Sequence, residues 1–181
     1  DLLERAGVTK LPATWEDLRL ASQAVNAKTG KTGFGFPGGS AASGGIWFLA
    51  NFYWWSNGDA LVTKKTDGSF GLGMDRKAVA DAMAYYKRFI TEGHAPKAVV
   101  SYNDAHDPAI MQALAQGEQA IGIMPTNTYK QLLKTWADAN PGKPTPFASG
   151  VVPRGSKTQL THLGGRTLAL FTSYRQLRAT V

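Results

Sequence analysis

The side chains with most to offer a ligand lie in residues 46–59, Ile-Trp-Phe-Leu-Ala-Asn-Phe-Tyr-Trp-Trp-Ser-Asn-Gly-Asp, the most aromatic stretch of the chain. At about 100° per residue, Ile46, Leu49, Ala50 and Tyr53 fall on one side of a helix. Trp47, Asn51 and Trp54 fall on the other, flanked by Phe48 and Trp55. Indole rings beside an amide form a wall that can stack on a flat apolar face and hydrogen-bond at its edge, which suits a hydroxyl-rich solute. The alternative is a core helix in which neighbouring backbone satisfies Asn51.

Reactive chemistry finds little support. The chain has no cysteine, so disulfides, thiolate metal sites and cysteine nucleophiles are excluded together. His94, His106 and His162 lack the paired spacing of a zinc site, and no Gly-x-Ser-x-Gly elbow occurs. His106 and Asp107 read as a loop residue beside a helix cap. Glu16, Asp59, Asp104 and Glu118 could supply the two carboxylates of a glycoside hydrolase, but no spacing pairs them. Gly33, Gly35 and Gly38 spell G-x-G-x-x-G with Asp59 downstream, yet Pro37 and a further Gly/Ser loop separate the strand from the next helix too widely for a dinucleotide site. No catalytic residue, metal or cofactor is expected.

Composition narrows the partners. With 43% hydrophobic and 18% charged residues, the 181-residue chain can bury a substantial core, which excludes a disordered segment. Its formal net charge of +7 raises the alternative of a nucleic-acid module. The basic residues are scattered over separate elements, however, and solvated faces account for them. No apolar run approaches the roughly 20 residues needed to span a bilayer. The first residues lack the basic and apolar regions of a leader, as a mature or truncated secreted chain would.

The elements that position these residues can be read in order. Residues 1–7 look like the tail of a helix stopped at Gly7, and Lys10 to Ala13 is a connector. Thr14 stands as N-cap with Asp17 three residues on, opening a helix to about Lys28 that stops at Gly30. Gly33 to Phe36 reads as a strand. After the aromatic helix, Leu61-Val62 and Ser69-Phe70 flank Thr66-Asp67-Gly68 as a surface hairpin. Asp75 caps a helix closed by Gly93, with Tyr85, Tyr86 and Phe89 as core. Asp107-Pro108 opens a helix ending at Gly117. Ala120 to Met124 reads as a buried strand. It leads to a helix with Asn127 and Thr128 at its N-terminus, where open α/β sheets place ligands. Ser149 to Val152 and Thr167 to Phe171 are the remaining strands. Gly164-Gly165 bares backbone beside Arg166, and Ser173 begins a last helix.

Six of these pieces stand in a familiar order: Leu11-Pro12-Ala13-Thr14-Trp15-Glu16-Asp17-Leu18; Gly33 to Phe36; the aromatic helix into Ser56-Asn57-Gly58; Ala113 to Met124; Val151 to Gly155; and Leu163 to Leu170. Together they resemble the extracellular solute-binding proteins of ABC sugar importers, of the maltodextrin-binding type. The resemblance implies an α/β fold: one lobe of a two-lobed periplasmic-binding-protein-like clamshell, helix-rich with a small mixed sheet. Residues 1–181 would form a single domain, the second lobe, with the first lobe and the C-terminal end absent.

The resemblance further implies non-catalytic binding of a sugar or polyol, neutral or anionic, for delivery to the transmembrane subunits of an ABC permease. The site would be periplasmic or extracellular, and the full-length protein would meet the membrane only by association or a lipid anchor. The family's ligand-facing aromatic falls at Trp47 or Phe48. Its second aromatic falls at Asn127, where an amide replaces ring stacking. Gly165 backbone and the Arg166 side chain should face the cleft; a salt bridge within the lobe is the other reading of Arg166. The expected ligand-binding set is therefore Trp47, Phe48, Asn51, Trp54, Asn127, Gly165 and Arg166.

Overall fold

Helix starts lie where the sequence supplies caps. A computed structural model describes residues 1–39 and 45–161, and it opens with a short helix α1 (Leu2–Arg5). In α2 (Trp15–Thr29), the Thr14 hydroxyl accepts from the Asp17 N–H while the Asp17 carboxylate accepts from the Thr14 N–H, both at 3.0 Å. This reciprocal pair satisfies two donors that the helix geometry leaves without partners. The helix stops at Gly30, whose φ of 67° is the left-handed conformation that glycine adopts without penalty. Asp75 caps α4 (Arg76–Thr91) and Asp107 caps α5 (Pro108–Ala115), with Pro108 at the first helical position.

The sheet is small. Strand β1 (Thr32–Phe34) pairs in parallel with β4 (Gln119–Ile121), with Thr32 opposite Gln119 and Phe34 opposite Ile121. Between them come α3 (Gly45–Asn57), the antiparallel hairpin β2 (Val62–Lys64) and β3 (Phe70–Leu72), then α4, a 3₁₀ turn (Lys97–Ser101) and α5. Helix α6 (Thr126–Ala139) follows β4. Both parallel strands are shorter than the sequence suggests, because the chain beyond β1 turns to bond other elements. Gly38 N–H donates to Val99 O at 2.9 Å and Gly39 N–H to Tyr102 O at 2.8 Å. The strand expected at Ser149 to Val152 does not form. Val151 is exposed there, and the backbone pairs only at Arg154, whose N–H donates to Ala13 O at 2.8 Å. The expected strand at Thr167 to Phe171 and the helix at Ser173 lie outside the described residues.

The core forms where α2, α3 and α4 close over β1. Trp15, Leu18, Phe34, Phe36, Leu49, Phe52, Tyr85, Tyr86, Phe89 and Val99 are buried in one cluster. Their polar atoms are used to cross-link the helices. Trp15 Nε1 donates to Ser56 Oγ at 2.8 Å, the Tyr85 hydroxyl to Trp15 O at 2.7 Å, and the Tyr86 hydroxyl to Leu49 O at 2.8 Å. Buried rings with a polar tip need such partners. Burial also pushes both tyrosine hydroxyls well above their ordinary pKa, so they remain neutral donors.

Close approach of α2 to β1 requires glycine at position 33. A Cβ built there would stand 2.4 Å from the Ser22 backbone. Gly33→Ala should therefore destabilise the protein by about 1–3 kcal/mol, read as a lower denaturant midpoint, because backbone cannot move aside as a side chain can.

His94 links the same region to pH. Its carbonyl accepts from Gly33 N–H at 3.0 Å and its ring is buried, with Nδ1 3.6 Å from Glu92 Oε2, too long for a hydrogen bond. Burial lowers its pKa, against the weaker pull of Glu92. A depressed folded pKa means that the unfolded chain takes up the proton more readily. This group's contribution to stability is thus intact above about pH 6.5, the ordinary histidine value. It is lost as pH falls through the lower folded value. His94→Gln should flatten that part of a stability profile measured between pH 8 and pH 5.

Candidate functional site

The carboxyl ends of the parallel strands β1 and β4 point to one edge of the sheet, and each strand is followed by a connection to a helix. From β1 the chain reaches the start of α3. From β4 it passes Gly122 to Pro125 and enters α6. Residues 102–107 lie between these two helix starts and touch both. On one side, Gly39 N–H donates to Tyr102 O at 2.8 Å and Gly45 N–H to Asn103 O at 3.0 Å. On the other, His106 Nδ1 lies 2.5 Å from Thr128 Oγ1 in the first turn of α6. The two helix starts are thereby stitched together across a single loop.

Trp47 stands in the first turn of α3 and is 55% exposed, the most open tryptophan among those described. Its ring meets Phe48 edge-on at 6.1 Å, and Phe48 meets the buried Phe52 edge-on at 5.2 Å. The indole thus has one side supported by the core and a large area left to solvent. Asn127 is exposed in the first turn of α6. The cap of α6 is Pro125, which offers no side-chain acceptor, and no side chain among the described residues caps the first N–H groups of the helix.

Two of the expected residues do not share this face. Asn51 is 3% exposed, and its side-chain N–H donates to Trp47 O at 2.9 Å, one turn back along the same helix. Its role is to hold the backbone beneath Trp47, not to present an amide. Trp54 is 8% exposed, packs with Ala50, Met74 and Ala82, and donates from Nε1 to Ala78 O at 3.0 Å. Trp54 is covered because α4, with Met74, packs over that part of the apolar helix α3. Phe48 is half-buried and supports Trp47. Gly165 and Arg166 lie outside the described residues, as does His162.

The glycine pattern at Gly33, Gly35 and Gly38 is not a phosphate cradle. Its amides donate to His94 O, Ile121 O and Val99 O at 3.0, 3.2 and 2.9 Å, so none is left to meet a pyrophosphate. Among the described residues, no group of three or more His, Asp or Glu is placed to hold a metal ion. A separate groove of about 1020 Å³ runs between α1, β4, α6 and residues 146–153, lined by Leu114, Ile121, Leu132, Trp136 and Phe147 among others. Trp47, Phe48 and Asn127 do not line it.

Sequence reasoning missed the loop that joins the two helix starts. His106 and Thr128 are 22 residues apart, and no local pattern announces their contact. The one available signal was that Asp107-Pro108 fixes where α5 begins and hence where the preceding loop must turn.

Solved proteins share this architecture. The chain superimposes on a solute-binding protein of an ABC transporter from Thermotoga lettingae, solved with α-D-tagatose, with a TM-score of 0.67 at 19% identity, covering 87% of this chain and 38% of that one. The GacH receptor of Streptomyces glaucescens, solved unliganded and with acarbose, gives a TM-score of 0.63 at 23% identity over 87% of this chain and 36% of that one. In sequence, a protein of Brucella abortus described as a binding protein is 31% identical over 103 residues, 56% of this chain and 23% of its own length. The chain thus spans about a quarter to two fifths of the proteins it matches, and has the helix-rich α/β fold of one lobe of the solved ones. The sequence profile of the bacterial extracellular solute-binding proteins matches residues 1–177, and the chain belongs to that family.

Proposed function

We propose that this chain is the second lobe of a carbohydrate-binding protein that holds its solute unaltered between two lobes and presents it to an ABC permease outside the cytoplasmic membrane. The observation that carries this reading is the half-exposed indole of Trp47, backed by Phe48 and through it Phe52, in the first turn of α3, whose start residues 102–107 link to the start of α6. An aromatic face with adjacent hydrogen-bond donors is what the C–H face and hydroxyl rim of a sugar ring need. Asn127 supplies an amide that can bridge neighbouring hydroxyls. Gly165 and Arg166 are added as contacts on sequence grounds, with Arg166 suited to vicinal hydroxyls or an anionic sugar. That the solved relatives named above hold acarbose and tagatose supports the same ligand class. A surface of rings and amides suits binding without turnover.

Calorimetric titration of the full-length protein with a panel of glucose, maltose, laminaribiose, D-tagatose and a uronate tests the proposal. Saturable binding to at least one member, little changed between low and moderate salt, is expected. A glycosidase would instead cleave a chromogenic glycoside. A nucleic-acid module would bind oligonucleotides with affinity falling steeply as salt rises.

A further inference from the structure

We propose that His106 is a ligand contact of this site, donating a hydrogen bond from Nε2 to a hydroxyl or ring oxygen of the bound carbohydrate, with Thr128 holding its ring in position. The assignment rests on the carbohydrate reading of the site and goes further, naming a residue that the family likeness does not single out.

Its basis is a chain of contacts around one exposed imidazole. Thr128 is fully buried in the first turn of α6, next in sequence to Asn127. A buried hydroxyl is costly without a partner. Here the partner among the described residues is His106 Nδ1, at 2.5 Å. Ser and Thr hydroxyls in helices commonly bond back to their own backbone. This one reaches across to another segment instead. With the hydroxyl donating to Nδ1, the neutral ring carries its proton on Nε2, and this assignment makes the outward nitrogen a donor.

The loop is built to keep the ring still. His106 N–H donates to Asp104 Oδ1 at 2.7 Å, and Asp107 N–H to Asp104 O at 3.1 Å. Asp107 accepts from Asn103 N–H at 3.2 Å while capping α5 through Ala109 N–H at 3.0 Å. The ring is nevertheless exposed, and Nε2 has no partner among the described residues. A side chain fixed at one nitrogen and open at the other, between the starts of α3 and α6, loses little conformational freedom when a ligand arrives. Simple stabilisation of the loop would not require the second nitrogen to face water.

The test uses the full-length protein and whichever saccharide of the panel binds most tightly. His106→Ala should weaken binding about 10-fold and, by leaving the buried Thr128 hydroxyl without its partner, lower the thermal midpoint, whereas adding Thr128→Val should restore the midpoint but not the binding. Thr128→Val, which frees the ring, should weaken binding about 3-fold when His106 is present and have no further effect when position 106 is Ala. A deoxy form of the sugar lacking the contacted hydroxyl should bind wild type and His106→Ala equally. Binding by wild type that His106→Ala leaves within twofold overturns the assignment while the carbohydrate reading stands. An equal effect of Thr128→Val with and without His106 also overturns the positioning role. If wild type binds no saccharide of the panel, the carbohydrate reading falls and the assignment falls with it.

Discussion

Replacing Trp47 by alanine in the full-length protein is expected to weaken carbohydrate binding about 30-fold while leaving the thermal midpoint within a degree or two. The two halves of this expectation have different causes. An aromatic ring that stacks on a sugar contributes roughly 2 kcal/mol through buried apolar area and ring contact, which corresponds to the stated factor. The ring adds little to folding, because it is 55% exposed and its aromatic neighbour among the described residues is the half-buried Phe48. Trp47→Phe should recover part of the loss, since a smaller ring still offers a flat face. Calorimetry and a melting curve on the same samples check both halves. Trp54→Ala should do the reverse, lowering stability first, because that ring is packed on Met74 and Ala82 and bonded to Ala78 O.

The largest expected effect on folding is at Phe34. Phe34→Ala should cost about 3–5 kcal/mol, read from urea denaturation, and at that magnitude much of the protein should be unfolded at 37 °C. Phe34 is fully buried on β1, stacks on Phe36 at 5.4 Å and meets Phe89 of α4 edge-on at 5.1 Å. Removing it opens a cavity at the junction of the sheet with α4. The surrounding rings cannot collapse into that space without breaking the bonds that hold Tyr85 to Trp15 and Tyr86 to Leu49. Phe34→Leu should cost less than half as much, because most of the volume is kept.

What could be read in the sequence was what is decided locally. Thr14 with Asp17, Asp75, and Asp107 with Pro108 mark helix starts because a cap is a contact between residues two or three apart. Gly30, Gly93 and Gly117 mark the ends for the same reason, each with positive φ. Tyr85, Tyr86 and Phe89 are expected in the core, and the buried side of α4 runs through them and Ala82. Periodicity assigns an angle, however, and says nothing of what occupies it. Asn51 and Trp54 share a side of α3 with Trp47, but Asn51 is buried against its own helix backbone and Trp54 lies under Met74 and Ala82, while Trp47 in the first turn stays exposed.

The strands were harder to delimit. The pairing of β1 with β4 is set by segments 87 residues apart, and beyond Gly35 the amides of Gly38 and Gly39 bond to Val99 and Tyr102 instead of extending it. Cross-links such as Trp15 to Ser56 and His106 to Thr128 depend on the folded arrangement and leave no local trace. The proposed site is therefore legible in part. Trp47 and Asn127 emerge from composition and position, whereas the loop between them becomes visible only once the helix starts are brought together.

The central claim is that the edge formed by the starts of α3 and α6 receives a carbohydrate. A crystal structure of the full-length protein with its tightest-binding saccharide tests it most directly. The sugar should lie against the indole face of Trp47 at about 4 Å, with Asn127 within hydrogen-bonding distance of a hydroxyl. A saccharide seated in the groove beside Trp136 and Phe147, or anywhere that leaves Trp47 and Asn127 facing solvent, would contradict it.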